Sequence, residues 1–216
     1  QNISLLNQTK RRLDEVNLLL DFSHLLSGLD PDAIIRSLLD SARRVIQHAH
    51  AGAALVWNPQ TEVLTPRAVS GYADNATMSQ IHYRHGEALP GMVFASKTPR
   101  RVDEVNFTRD YNLSAENLAL YREVTGGRLP VSSLLVPILA GDQSLGVLVL
   151  DNFNSTSAFR PEDEALLLSL AQQVALSLEN VRLVQATQER AGQLQALNTA
   201  AASLTSSLRS DQLVNT

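Results

Sequence analysis

Two histidines and a carboxylate, His82, His85 and Glu87, stand close enough in sequence to offer a divalent cation three ligands. A polar turn accounts for the same residues without an ion, so no metal site is assigned. His48 and His50 close a helical stretch, where an imidazole faces the negative end of the helix dipole. Gly86 and Gly91 have the spacing of a phosphate loop, but Met92 and Val93 stand where Lys and Ser or Thr must reach phosphate and magnesium. No Gly-x-Ser-x-Gly turn presents a nucleophile. The chain has no cysteine, which excludes disulfides, thiolate nucleophiles, Cys-based zinc sites, iron–sulfur ligation and thioether-linked cofactors. No catalytic residue is assigned, and none of the motifs that handle nucleotide phosphates is complete.

Binding is the chemistry that remains. Aromatic residues are 5% of the chain, yet Trp57, Tyr72, Tyr83, Phe94, Phe107, Tyr111 and Tyr121 fall within one region, with His82 and Arg109 among them. Aromatic walls carrying a few polar groups are what small-molecule pockets use, and these nine residues are the candidate ligand-binding set. Within it, Arg109 is the expected partner of an anionic ligand and Tyr111 or Tyr121 the expected aromatic wall.

The elements that must position these residues follow from periodicity. Leu6, Thr9, Leu13, Val16, Leu20 and Ser23 keep the three-and-four spacing of a helical seam. Asp30 and Pro31 restart a helix whose apolar stripe is Ile34, Ile35, Leu38, Leu39, Ala42 and Val45. Two short apolar runs around Asn58-Pro59, ending near Trp57 and beginning near Val63, predict a hairpin. Residues 71–81 read as partly helical, Pro90–Ala95 as a short helix started by proline, and Arg100–Val102 as a brief strand. The stretch Asp103–Pro130 has weak helical character at Ala115–Val124 and is otherwise loop-like, long enough to serve as a cover over a pocket. Strands Ser132–Leu139 and Ser144–Leu150 flank a Gly141-Asp142 turn. A long helix starts at Arg160-Pro161, and its seam runs through Val174 and Val181 to Leu194, Leu197, Ala201, Leu204 and Leu208. Leu13, Val16 and Asn17 recur as Leu194, Leu197 and Asn198, as tandem modules joined by continuous helices would produce.

This order of elements resembles a GAF domain, the small-molecule sensor module of signalling proteins. The residues that carry the resemblance are Ser133–Ile138 with Ser144–Leu150, the run Phe159–Leu167, and Gly86–Val93, in which Ala88 stands where a glycine is common. The resemblance implies an α+β fold: a central antiparallel sheet, N- and C-terminal helices packed on one face, and a variable pocket-covering segment on the other. It divides the chain into a leading signalling helix (1–28), the GAF domain (29–189) and an exit coiled-coil helix with the start of a following module (190–216). The family's Asn-Lys-Phe-Asp-Glu signature is partly present as Asn152, Phe159, Asp163 and Glu164, with Phe153 at the lysine position. Loss of that cation argues against cyclic nucleotide, nothing motivates haem, and a bilin bound through cysteine is excluded. The cofactor is therefore unknown.

The net charge of −4, from 18 basic and 22 acidic residues, excludes a chain that holds nucleic acid or an anionic membrane through bulk charge. Its longest apolar runs are about a third of the ~20 residues of a membrane span. The expectation is a cytoplasmic piece of a longer signal-transduction protein, such as a sensor histidine kinase, without direct membrane insertion. It would sense a small molecule and pass the signal to an output domain in the same polypeptide. The alternatives are a ligand-free dimerising spacer in a tandem array, or the regulatory domain of a cyclic-dinucleotide enzyme or transcription regulator. A homodimer through the terminal helices, around Leu6–Leu20 and Val174–Leu208, would bury seams otherwise left in water at about 25 cal/mol per Å² of apolar surface. Light scattering is expected to report a dimer, and Leu197→Lys with Leu204→Lys to shift it toward monomer; a wild-type monomer at high micromolar concentration contradicts this assembly.

Overall fold

The structure, a computed structural model, describes residues 31–113 and 115–180 together with 183, 187 and 190–193. The chain divides into two compact units, Gln1–Ser177 and Leu178–Thr216. Described residues of the second unit are helical. The leading seam and the seam from Leu194 to Leu208 lie outside the described residues.

Helix α1 (Pro31–Val45) has proline at its first position, Asp32 in its first turn and Arg43 and Arg44 in its last, each placed favourably on the helix dipole. Strands β1 (Ala51–Asn58) and β2 (Val63–Ser70) form the expected hairpin. Its turn is closed by Asn58 Oδ1, which accepts the N–H groups of Gln60 (2.9 Å) and Thr61 (3.4 Å). Next come helix α2 (Asn75–Met78), capped by Asp74, the two-residue strand β3 (Tyr83–Arg84), helix α3 (Ala88–Ser96) and strand β4 (Arg100–Val102). Helices α4 (Phe107–Asp110) and α5 (Ala115–Val124) lie in the expected cover. Strands β5 (Ser132–Ala140) and β6 (Gln143–Asn152) meet across Gly141-Asp142, with Gly141 in the left-handed region at φ +56°. Helix α6 begins at 161 and occupies the rest of the first unit.

All six strands join one antiparallel sheet in the order β3-β2-β1-β6-β5-β4, so the fold is α+β. Strand β6 sits between β1 and β5 and is buried from Gly146 to Asn152. Period-two alternation divides its side chains between two cores. Val147 and Val149 join Leu55, Leu135, Tyr83, Leu89 and Val93 in one cluster, which α3 and the 103–130 segment cover. Leu148 and Leu150 take the other face, where Leu39 of α1 reaches Gly52 of β1. On α6, Leu167, Leu170, Ala171 and Val174 are buried within the first unit.

Two expectations are corrected. Helix α3 begins at Ala88, two residues before Pro90, because Pro90 within the first turn has no N–H for which a partner is needed. Ala88 itself adopts φ +53°, the conformation that glycine takes most easily, which explains why glycine is common at this position. Val174, proposed to open the dimer seam, is fully buried inside the first unit; Leu176 beside it is 56% exposed.

Gly146 makes the close contact of β1 and β6 possible. A Cβ there would stand 2.1 Å from the Leu55 carbonyl oxygen, and no side chain can yield because the obstacle is backbone. Gly146→Ala is expected to lower stability by about 1–3 kcal/mol, measured by urea denaturation. Gly192→Ala, in a helical stretch with open space around its Cβ and no positive φ, is the comparison and should cost less.

Candidate functional site

The face of the sheet under α3 and the cover carries one charged side chain in its interior. Asp151 continues the Val147–Val149 face of β6 and is 1% exposed. Pairing with Ser133 on β5 and Ala51 on β1 fixes its backbone. Ser133 Oγ donates to Asp151 Oδ1 (2.6 Å), and the Tyr72 hydroxyl donates to Oδ2 (2.7 Å). Among the described residues no Lys, Arg or His forms an ion pair with it. Burial raises the pKa of Asp151 above the ordinary carboxylate value, against the two hydrogen bonds, which pull it down.

Tyrosines wall the space above this carboxylate. Tyr72, Tyr83, Tyr111 and Tyr121 line the cavity with Asp151, joined by apolar side chains including Leu55, Met78 and Val149. The cavity measures about 10 Å³, room for about one water. Burial first, and Asp151 next, hold the phenols of Tyr72, Tyr83, Tyr111 and Tyr121 above their usual pKa, so all four are protonated donors. Tyr111 lies near enough to Ser133 and Tyr121 for both to ease its ionisation, yet no contact of the Tyr121 hydroxyl has hydrogen-bond geometry. That hydroxyl is buried without a partner among the described residues.

The remaining residues of the candidate set divide into three groups. Phe107 backs the wall from behind, stacked on Tyr111 at 4.8 Å and tilted against Tyr121 at 5.1 Å. Trp57 stacks on Phe94 at 4.6 Å with His85 edge-on to both, a separate aromatic group that contributes no lining residue. His82 has an exposed side chain, and its carbonyl accepts from Asn117 of α5 (3.0 Å). Arg109 is corrected as an anion partner. Its guanidinium forks onto the adjacent Asp110 (2.6 and 3.0 Å), with the side chain 71% exposed, and it takes no part in the cavity.

The signature residues serve the architecture. Asn152 donates to the His48 carbonyl (2.7 Å) and accepts the N–H groups of Asn154 and Ser155. Phe159 is buried, Asp163 accepts the Arg160 N–H (2.8 Å) at the start of α6, and Glu164 pairs with Arg101 at 3.9 Å. Phe153, at the lysine position, stacks on His50 at 6.4 Å, and the Arg128 guanidinium lies over its ring at 5.8 Å. Its N–H donates to His50 Nδ1 (3.1 Å), which must be unprotonated. Burial, and then Arg128, hold the His50 pKa below its usual value and favour that state.

Asp151, Ser133 and Met78 were absent from the expected set. The available signal was an acid at the end of Val147–Leu150, where the period-two register of a buried strand calls for another apolar side chain.

Known structures share this fold. The GAF domain of a phosphoenolpyruvate-protein phosphotransferase from Coxiella burnetii superimposes with TM-score 0.67 at 18% identity, covering 81% of this chain and 98% of that one. The GAF domain of a putative sensor histidine kinase from Pseudomonas syringae pv. tomato gives 0.60 at 25% identity, over 86% and 99%. Free methionine-R-sulfoxide reductase from Neisseria meningitidis, solved in complex with its substrate, gives 0.62 at 18% identity, over 81% and 93%. Among the described residues no helix is long and apolar enough to cross a membrane. The GAF domain family model matches residues 30–178, most of the chain, and the chain belongs to the GAF domain family.

Proposed function

We propose that this chain is the small-molecule-sensing domain of a signal-transduction protein, with the ligand taken up at the Asp151 cavity beneath the 103–130 segment. The observation that carries this reading is the carboxylate itself. Burying an ionised group without a counter-ion costs free energy, and natural proteins retain such costs where function needs the group. Terminal helices on the sheet's other face would carry the response to an output domain, and the likeness to a sensor histidine kinase module supports that kind of parent. The reductase relative supports ligand uptake by this fold. This chain has no cysteine, so a thiol cannot supply the two electrons that sulfoxide reduction takes, and sensing is favoured over that catalysis.

A ligand-free dimerising spacer is the second reading, favoured by the narrowness of the cavity and by exposed Leu176. Hydrogen exchange with and without a panel of small metabolites separates the two. Sensing requires protection at 103–130 in the presence of a compound, followed by α6; protection of α6 alone favours the spacer.

The carboxylate also makes a prediction about pH. Folding raises the Asp151 pKa, so its favourable contribution is present below the unfolded value and is lost as pH rises through the folded value. At neutral pH the wild type therefore carries a penalty that an amide does not. Asp151→Asn should melt higher than wild type at pH 7.5, and the gap should close as the buffer is taken down through the carboxylate range. A variant that melts lower at pH 7.5 contradicts the assigned cost.

A further inference from the structure

Charge and hydrogen-bond capacity in the cavity narrow the class of ligand. The lining contains one acid and no Lys, Arg or His, so an anionic group would meet Asp151 with nothing to offset it. Each oxygen of Asp151 accepts one hydrogen bond, from Ser133 or Tyr72. A carboxylate has about four acceptor sites, which leaves one lone pair on each oxygen. The Tyr121 hydroxyl is buried and unpartnered among the described residues, and its oxygen is a third open acceptor. The Tyr111 and Tyr121 rings, tilted at 49° with centroids 5.6 Å apart, line the same cavity, and aromatic rings attract a cation placed over their faces.

Resting on the sensing assignment above, we propose that the cavity takes the head of a small primary ammonium compound, held on Asp151 and Tyr121, with the 103–130 cover displaced to admit its tail. An ammonium brings three donors and no acceptor, one for each Asp151 oxygen and one for the Tyr121 oxygen, while the Tyr121 proton stays without a partner among the described residues. Its head is about as large as a water molecule, and the cavity has room for about one water. Guanidinium and trimethylammonium heads are larger than the space. A neutral alcohol fits by size but leaves the carboxylate without a counter-charge.

The experiment holds the tail constant and changes the head. Propylammonium, propan-1-ol and propionate are titrated into the full 216-residue chain by calorimetry at pH 7.5, with hydrogen exchange at 103–130 as a second readout. Propylammonium is expected to bind at least about tenfold more tightly than the other two, as bonds to a charged acceptor imply. Asp151→Asn should lose about tenfold or more of that affinity, and Tyr121→Phe, which leaves the charge in place, a smaller factor. Equal binding of propan-1-ol, tighter binding of propionate, or propylammonium binding unchanged in both variants overturns the amine assignment. If propylammonium has no effect while a neutral or anionic metabolite protects 103–130, the amine class falls and sensing stands. If no compound of any charge protects that segment, both fall.

Discussion

Strand β6 is the constraint around which the first unit is arranged. It is hydrogen-bonded on both edges, to β1 and β5, and covered on both faces. From Gly146 to Asn152 the strand has no solvent-facing side chains, and its period of two assigns each residue there to one of two interiors. Leu148 and Leu150 go to one, Val147, Val149 and Asp151 to the other. A carboxylate at that register can only point inward. Ser133 is opposite it for the same reason, since the β5–β6 register pairs the two residues directly. The site is thus a by-product of strand pairing, with Tyr72 brought in from the loop after β2.

Much of this was legible where local chemistry and tertiary packing agree. The bounds of α1 followed from Pro31 and the apolar stripe, and α5 fell at Ala115–Val124 with Gly126 and Gly127 beyond its end. The β5–β6 hairpin followed from Gly141-Asp142 between two apolar runs. Two elements barely as long as one repeat of their own pattern were missed. Strand β3 has two residues and is defined by pairing with Val63 and Leu64, which no local signal encodes. Helix α4 has four, and its trace in the sequence was Asn106, whose side chain caps the Arg109 N–H (3.1 Å) while Asp110 returns to the Asn106 N–H (2.9 Å).

The site was half legible for a related reason. Aromatic density pointed to the region that contains the cavity but could not separate the rings lining it from Trp57 and Phe94, which stack on each other. Arg109 looked like a recognition cation because it sits among aromatics, yet Asp110 beside it offers a bidentate partner at no cost in chain closure. Asp151 looked like the polar end of an apolar strand. Its burial depends on tyrosines far away in sequence, a long-range fact that composition and periodicity do not contain.

The cover is anchored near its ends, where the Ser157 N–H donates to the Asp103 carbonyl (2.7 Å), the Val105 N–H to the Val131 carbonyl (2.9 Å) and Arg128 to Asn154 Oδ1 (2.6 Å), and α5 is held between those anchors. The Asp74 N–H reaches the Val124 carbonyl (3.3 Å), and Asn117 reaches the His82 carbonyl (3.0 Å), linking α5 to the loops on either side of α2. Asn117 and the His82 side chain lie toward solvent, and α5 itself belongs to no sheet ladder. Parting these links with the ring contacts of Tyr111 and Tyr121 leaves every strand pair intact. Such an opening is a sub-global fluctuation, cheaper than unfolding, and local openings of this kind run on microsecond-to-second scales. If the proposed ligand enters there, its passage into the Asp151 cavity waits on this local event, and its residence time would respond to changes in α5 while the melting of the sheet stays the same.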